Sequence, residues 1–125
     1  MPWIYSQRGG MRRPDGTMFD AQAYSGAAGA HKNNPDSQHI ENEGPIPRGR
    51  WRMTKMQASH PKLGLLVIHL EPEPGTEVFG RDHFRVHGDA VGRPGEASTG
   101  CIIIHGGARR QQMWDSGDRV IEVTE

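Results

Sequence analysis

Phe84-Arg85-Val86-His87 and Cys101-Ile102-Ile103-Ile104 are two short apolar runs separated by a stretch dense in glycine and proline, Gly88 to Gly100. Four residues are too few for a stable helix, and so apolar a run is not surface, so both read as buried strands joined by a loop. The pattern continues outward. Leu65 to Leu70 is continuous enough for a central strand, and Arg50 to Met56 is close to the period-two alternation of a half-buried one. Arg119 to Thr124 alternates Val120, Glu122 and Thr124 against Ile121 and Val123 and closes the sheet. Upstream, Trp3 to Gln7 reads as a strand, with Met1 to Gln7 as a sheet edge. A second strand lies around Arg12, and Met18 to Tyr24 returns antiparallel after the Pro14-Asp15-Gly16 turn. Gly107 to Trp114 is the one convincing helix, stopped by Gly117. The expected fold is mainly β, a small sandwich or twisted sheet with one short helix after the Cys101 strand.

Composition agrees. Of 125 residues, 17 are glycine and 9 proline, which disfavours long helices, and the length suits one domain spanning 1–125. Fifteen basic residues balance fifteen acidic ones, so no overall field attracts a polyanion and nucleic acid is not an expected partner. Mean hydropathy is -0.74, and the longest apolar stretch, Leu63 to Leu70, falls far short of the roughly 20 residues of a bilayer helix; membrane insertion is not expected. The opening residues lack a basic segment followed by an apolar core, so they do not read as a secretory signal. A single cysteine excludes an intrachain disulfide and a multi-cysteine zinc site.

From Ser25 to Gly49 the chain is punctuated by glycine, asparagine and proline, including a stiff Gly44-Pro45-Ile46-Pro47-Arg48-Gly49 segment. A loop of this length in a small domain is usually functional or disordered, and the stiff segment favours an ordered, functional one. Tyr24, Asn33 and Asn34 are candidates to line a cleft; the alternative for the asparagines is to cap turns.

Chemistry concentrates around Cys101. His87 ends one predicted strand and Cys101 begins the next, fourteen positions later, so the side chains can meet if the strands are neighbours. A free thiol is a weak nucleophile at neutral pH, and an imidazole beside it can take its proton. His87 is the candidate base. The imidazole needs an acceptor on its other nitrogen, supplied by the carbonyl of Gly88 or the carboxylate of Asp89, of which Gly88 is preferred. Gly100 lets backbone approach the reacting centre, and the N–H groups of Gly100 and Cys101 are candidate oxyanion donors, with the Ser98 and Thr99 hydroxyls beside them. Arg85, Arg93, Arg109 and Arg110 can bind carboxylates through paired donors; Arg93 and Thr99 join Tyr24, Asn33 and Asn34 as the substrate-binding set. The spacings His83-x-x-x-His87 and Cys101-x-x-x-His105 are ligand-like for zinc, but on strands a four-residue offset separates side chains by roughly 13 Å. No metal and no cofactor are expected.

His87 followed by Ser98-Thr99-Gly100-Cys101 resembles the signature of the L,D-transpeptidase (YkuD-like) family, a histidine followed by Ser-His-Gly-Cys. The sequence is closer still to its small DUF2778 branch, which includes a type VI secretion effector. Tyr24-Ser25-Gly26, Lys32-Asn33-Asn34-Pro35 and Gly44-Pro45-Ile46-Pro47-Arg48-Gly49 match that branch in order, so the resemblance extends over residues 3 to 106. Thr99 departs from the family's second histidine, and Ile103 from an arginine or asparagine that helps hold substrate carboxylate. The resemblance implies cysteine acyl transfer on peptidoglycan tetrapeptide stems, with loss of the terminal D-alanine to water or its exchange for a D-amino acid. It also implies an antibacterial effector injected into the target periplasm without a signal peptide, and a cognate immunity protein. The competing readings are a non-catalytic peptidoglycan-binding module, a zinc-dependent hydrolase and a phage wall-lytic protein.

Overall fold

A computed structural model describes residues 1–125. Nine strands form one mixed sheet: β1 (Trp3–Ser6), β2 (Met11–Arg12), β3 (Met18–Asp20), β4 (Tyr24–Ser25), β5 (Gly49–His60), β6 (Gly64–Pro72), β7 (Arg85–His87), β8 (Ile102–Ile103) and β9 (Val120–Thr124). One helix, α1 (Gly107–Asp115), and a 3-10 turn at Pro35–Ser37 complete the fold. The spatial order is β3-β2-β1-β9-β5-β6-β7-β8-β4. The β1–β9 and β7–β8 pairs are parallel and the others antiparallel. A mainly β domain with a single short helix is the class the sequence predicts.

The topology dictates curvature. β3 and β4 are the two ends of the sheet, yet only Ala21 to Ala23 separate them in the chain. Laid flat, nine strands at a spacing of about 4.8 Å would hold the ends about 38 Å apart, whereas such a link spans at most about 14 Å. The sheet therefore rolls on itself. The seam is fastened where Asp20 Oδ2, on β3, accepts from the His105 backbone N–H at 2.8 Å, two residues beyond β8. Inside the roll sits the core, with Trp3 and Tyr5 of β1, Trp51 and Met53 of β5, Ile68 and Leu70 of β6, Val86 and Ile102 among its members. Trp51 and Phe84 meet edge-on, with centroids 4.8 Å apart. Trp51 is a core anchor, whereas Trp114 is only partly buried, packed against the core beneath Arg119.

Two strand expectations are corrected. The Trp3–Ser6 strand is not an edge, because β9 returns beside it in parallel and joins the two ends of the chain. Met18 to Tyr24 is not one strand: the chain turns at Ala21 to Ala23, and Tyr24–Ser25 crosses to the far end of the sheet to pair with β8. The β5–β6 hairpin is longer than periodicity alone indicates, running to His60 and Gly64.

Candidate functional site

β7 and β8 are neighbours, with Val86 level with Ile102 and His87 with Ile103. Side chains alternate across a strand. Val86 and Ile102 face the core, so Arg85, His87 and Cys101 share the opposite face. Cys101 immediately precedes β8; extending the register one residue sets it diagonally from His87, about 8 Å away at the backbone for a strand spacing of about 4.8 Å and a rise of about 3.3 Å per residue. Both residues line one cavity of about 200 Å³, together with Thr99, Arg81, Arg85 and Leu63. The two groups share a cavity but are not hydrogen-bonded: the thiol donates to the His83 carbonyl, at 3.8 Å.

Their electrostatics place both in neutral form. Burial pushes the Cys101 thiol up, opposed by a hydrogen bond from the Arg85 backbone N–H and by the Arg85 and Arg81 charges. His87 is held below its ordinary value, first by burial and then by the charges of Arg110, Arg85 and His60, with the Gly88 bond acting the other way. His87 Nδ1 lies 2.9 Å from the Gly88 carbonyl oxygen. A carbonyl only accepts, so Nδ1 carries the proton and Nε2 the free lone pair. Asp89 does not touch His87. It accepts from Tyr24 Oη at 2.7 Å and from the Ala90 and Gly95 backbone, and meets His105 Nε2 at 3.2 Å. Burial alone would raise the Asp89 carboxyl, but these bonds outweigh it and hold it low.

The segments of the long loop that looked like recognition motifs instead build the turn that carries the thiol. Ser98 Oγ donates to the Cys101 carbonyl at 2.6 Å and accepts from the Gly26 and Gly100 N–H groups at 3.0 and 3.1 Å. The Gly100 N–H and the Ser98 hydroxyl are therefore engaged with each other and are not free oxyanion donors in this structure. Ser25 Oγ donates to the Gly100 carbonyl and accepts from the Ile46 N–H, tying the turn to the stiff proline segment. Gly100 itself is required: its φ is +143°, and a Cβ there would lie 2.6 Å from the Arg81 guanidinium. At Gly44 a Cβ would sit 1.8 Å from the Ser37 carbonyl oxygen.

The expected substrate-binding residues fall mostly outside the cavity. Tyr24 is buried and holds the 88–97 loop through Asp89 and the Ala97 N–H. Asn33 accepts from the Ser25 N–H, and Asn34 caps the 3-10 turn by accepting from Asp36. Arg93 is exposed and does not line the thiol's cavity. Only Thr99 of that set lies on the cavity wall. No group of three or more histidine, cysteine, aspartate or glutamate side chains is arranged to hold a metal ion.

Arg81 is a residue the sequence did not single out. It is 5 % exposed, has no carboxylate partner, and donates to the carbonyls of Gln38, Gly44, Pro45 and Thr99 while its guanidinium lies 5.1 Å from the centre of the Phe84 ring. It clamps the long loop onto the turn that carries Cys101. No local pattern marks it, because its partners lie 18 to 43 positions away.

The family model described as the Tlde1 domain matches residues 20–124. No curated protein matches the chain.

Proposed function

The chain belongs to the Tlde1-domain family, a type VI effector family, and from that premise we propose that it is a cysteine acyl-transferase of the L,D-transpeptidase type acting on peptidoglycan tetrapeptide stems. The observation that carries this reading is that Cys101 and His87 line the same cavity, with the imidazole tautomer fixed by Gly88. With thiol and imidazole both neutral at rest, His87 acts as a general base when substrate is bound, not as half of a standing ion pair. The thiol leaves the His83 carbonyl and gives its proton to His87 Nε2. The sulfur attacks the carbonyl of the third stem residue, and the imidazolium returns the proton to the departing amine of D-alanine. The resulting thioester is resolved by water, giving carboxypeptidase action, or by the amine of a D-amino acid, giving exchange. With the Gly100 N–H held by Ser98, the oxyanion falls to the Cys101 N–H and to groups on the Thr99 side of the cavity.

Either outcome removes the donor peptides from cross-linking, which suits an antibacterial effector delivered to the target periplasm and countered by an immunity protein. Incubating the protein with muropeptides and weighing the products tests the reading. Tetrapeptide stems shortened by one alanine, or exchanged for a labelled D-amino acid, support it; unchanged stems reject it.

A further inference from the structure

Of the four arginines offered as carboxylate ligands, three are otherwise engaged or misplaced. Arg93 borders neither main cavity. Arg109 donates to the carbonyls of Phe19 and His105. Arg110 is buried and donates to the carbonyls of Leu66, Ile104 and Leu65.

Arg85 is different. It stands on the wall shared by the thiol's cavity and a second one of about 380 Å³ that continues past His69 and Trp51. Its Nε is buried with no hydrogen-bond partner, and its side chain makes only a 3.5 Å contact with the His83 carbonyl. No carboxylate lies within ion-pairing distance of it. Asp82, on the same wall, is paired with His83 at 2.8 Å, and Glu71 borders the second cavity without reaching the guanidinium. A buried donor without an acceptor is uncommon and costly, and a guanidinium on the cavity wall with no protein carboxylate to neutralise it is free to take an anion that enters the cavity.

Register places this donor usefully. Arg85 is level with His69 and His69 with Lys55, and one residue before the Val86–Ile102 pair Arg85 comes beside Cys101, whose thiol accepts from the Arg85 backbone N–H, so a row bearing Arg85, His69 and Lys55 starts next to the thiol. The terminal carboxylate of a one-residue leaving group lies about 3.8 Å, one Cα step, beyond the attacked carbonyl. A leaving group that short keeps its carboxylate inside the cavity that Arg85 and Cys101 line together.

We propose that Arg85 binds the free carboxylate of the substrate's terminal residue, so that the site selects peptides ending one residue beyond the attacked carbonyl. This rests on the acyl-transfer reading above and adds what decides where the enzyme cuts. The test compares a tetrapeptide stem with its C-terminal amide, on the parent, Arg85→Gln and Arg85→Lys. The parent releases D-alanine from the acid with a KM lower than for the amide by about tenfold or more, the scale of one charge-assisted pair. Arg85→Gln raises KM for the acid alone and abolishes the preference, while Arg85→Lys keeps part of it. An unchanged acid-to-amide ratio in Arg85→Gln overturns the proposal while leaving acyl transfer standing. Calorimetric titration of both peptides into Cys101→Ala, with and without Arg85→Gln, reads the anchor without turnover. Acid-selective binding lost with Arg85→Gln supports it even if the parent cleaves neither peptide, and equal binding of acid and amide refutes it.

Discussion

Ser98→Ala removes one oxygen on which three backbone groups converge: the Cys101 carbonyl at 2.6 Å and the N–H groups of Gly26 and Gly100 at 3.0 and 3.1 Å. The residue is 2 % exposed, so water does not readily replace the hydroxyl. Leaving a buried donor unsatisfied costs about 1–3 kcal/mol, and two are orphaned here, so the expected loss is about 2–5 kcal/mol once some local relaxation is allowed. With a urea slope of about 2 kcal/mol/M, the unfolding midpoint falls by about 1–2.5 M. Urea titration followed by tryptophan fluorescence reads this, since Trp3 and Trp51 lie in the core. Were Ser98 instead a catalytic hydroxyl donor with no structural burden, the midpoint would stay put while activity fell. A midpoint within about 0.3 M of the parent refutes the pin.

The free enzyme's thiol resists alkylation at neutral pH. Because burial raises Cys101, the iodoacetamide rate rises with pH and has its midpoint above that of an ordinary thiol; a midpoint near neutrality would instead indicate a standing thiolate. The lowered His87 keeps the base unprotonated below the ordinary histidine range, so the acid limb of kcat/KM falls below about 6.5, and a limb above that value contradicts the assignment. Asp89, held low in the folded state, contributes stability that is present above the unfolded aspartate value of about 3.9 and disappears as pH falls through its folded value. Asp89→Asn is therefore less stable than the parent at neutral pH, and the gap closes on acidification; a gap that widens in acid has the wrong sign.

Where side-chain period reports burial, the fold was legible. β5, β6, β7 and β9 follow apolar alternation or apolar runs, and α1 follows its Gly117 stop. The parallel β1–β9 pair was not legible, because it joins residues more than a hundred positions apart and leaves no local trace. Nor was the break at Ala21 to Ala23: two-residue strands such as β4 are too short to show a period and are decided by what they pair with. The sequence offers His87 and Cys101 on two short runs whose side chains meet only if those runs are neighbours, and it prefers Gly88 to Asp89 as the imidazole's acceptor; the β7–β8 pairing and the His87–Gly88 contact come from the tertiary structure. The ordered loop motifs were visible, and of the two roles offered for the asparagines Asn34 takes the turn-capping one. Asn34 and Tyr24 hold backbone, as does Ser25, and the cavity walls come from Arg81 and Arg85, whose surroundings are assembled only by tertiary folding.

The most direct test of the central claim is the rate of D-alanine release from a tetrapeptide stem by the parent, Cys101→Ala and His87→Ala, each with circular dichroism showing a native sheet. Release by the parent, abolished in Cys101→Ala and nearly so in His87→Ala, is the expected result. Undiminished release by a folded Cys101→Ala protein would contradict the account.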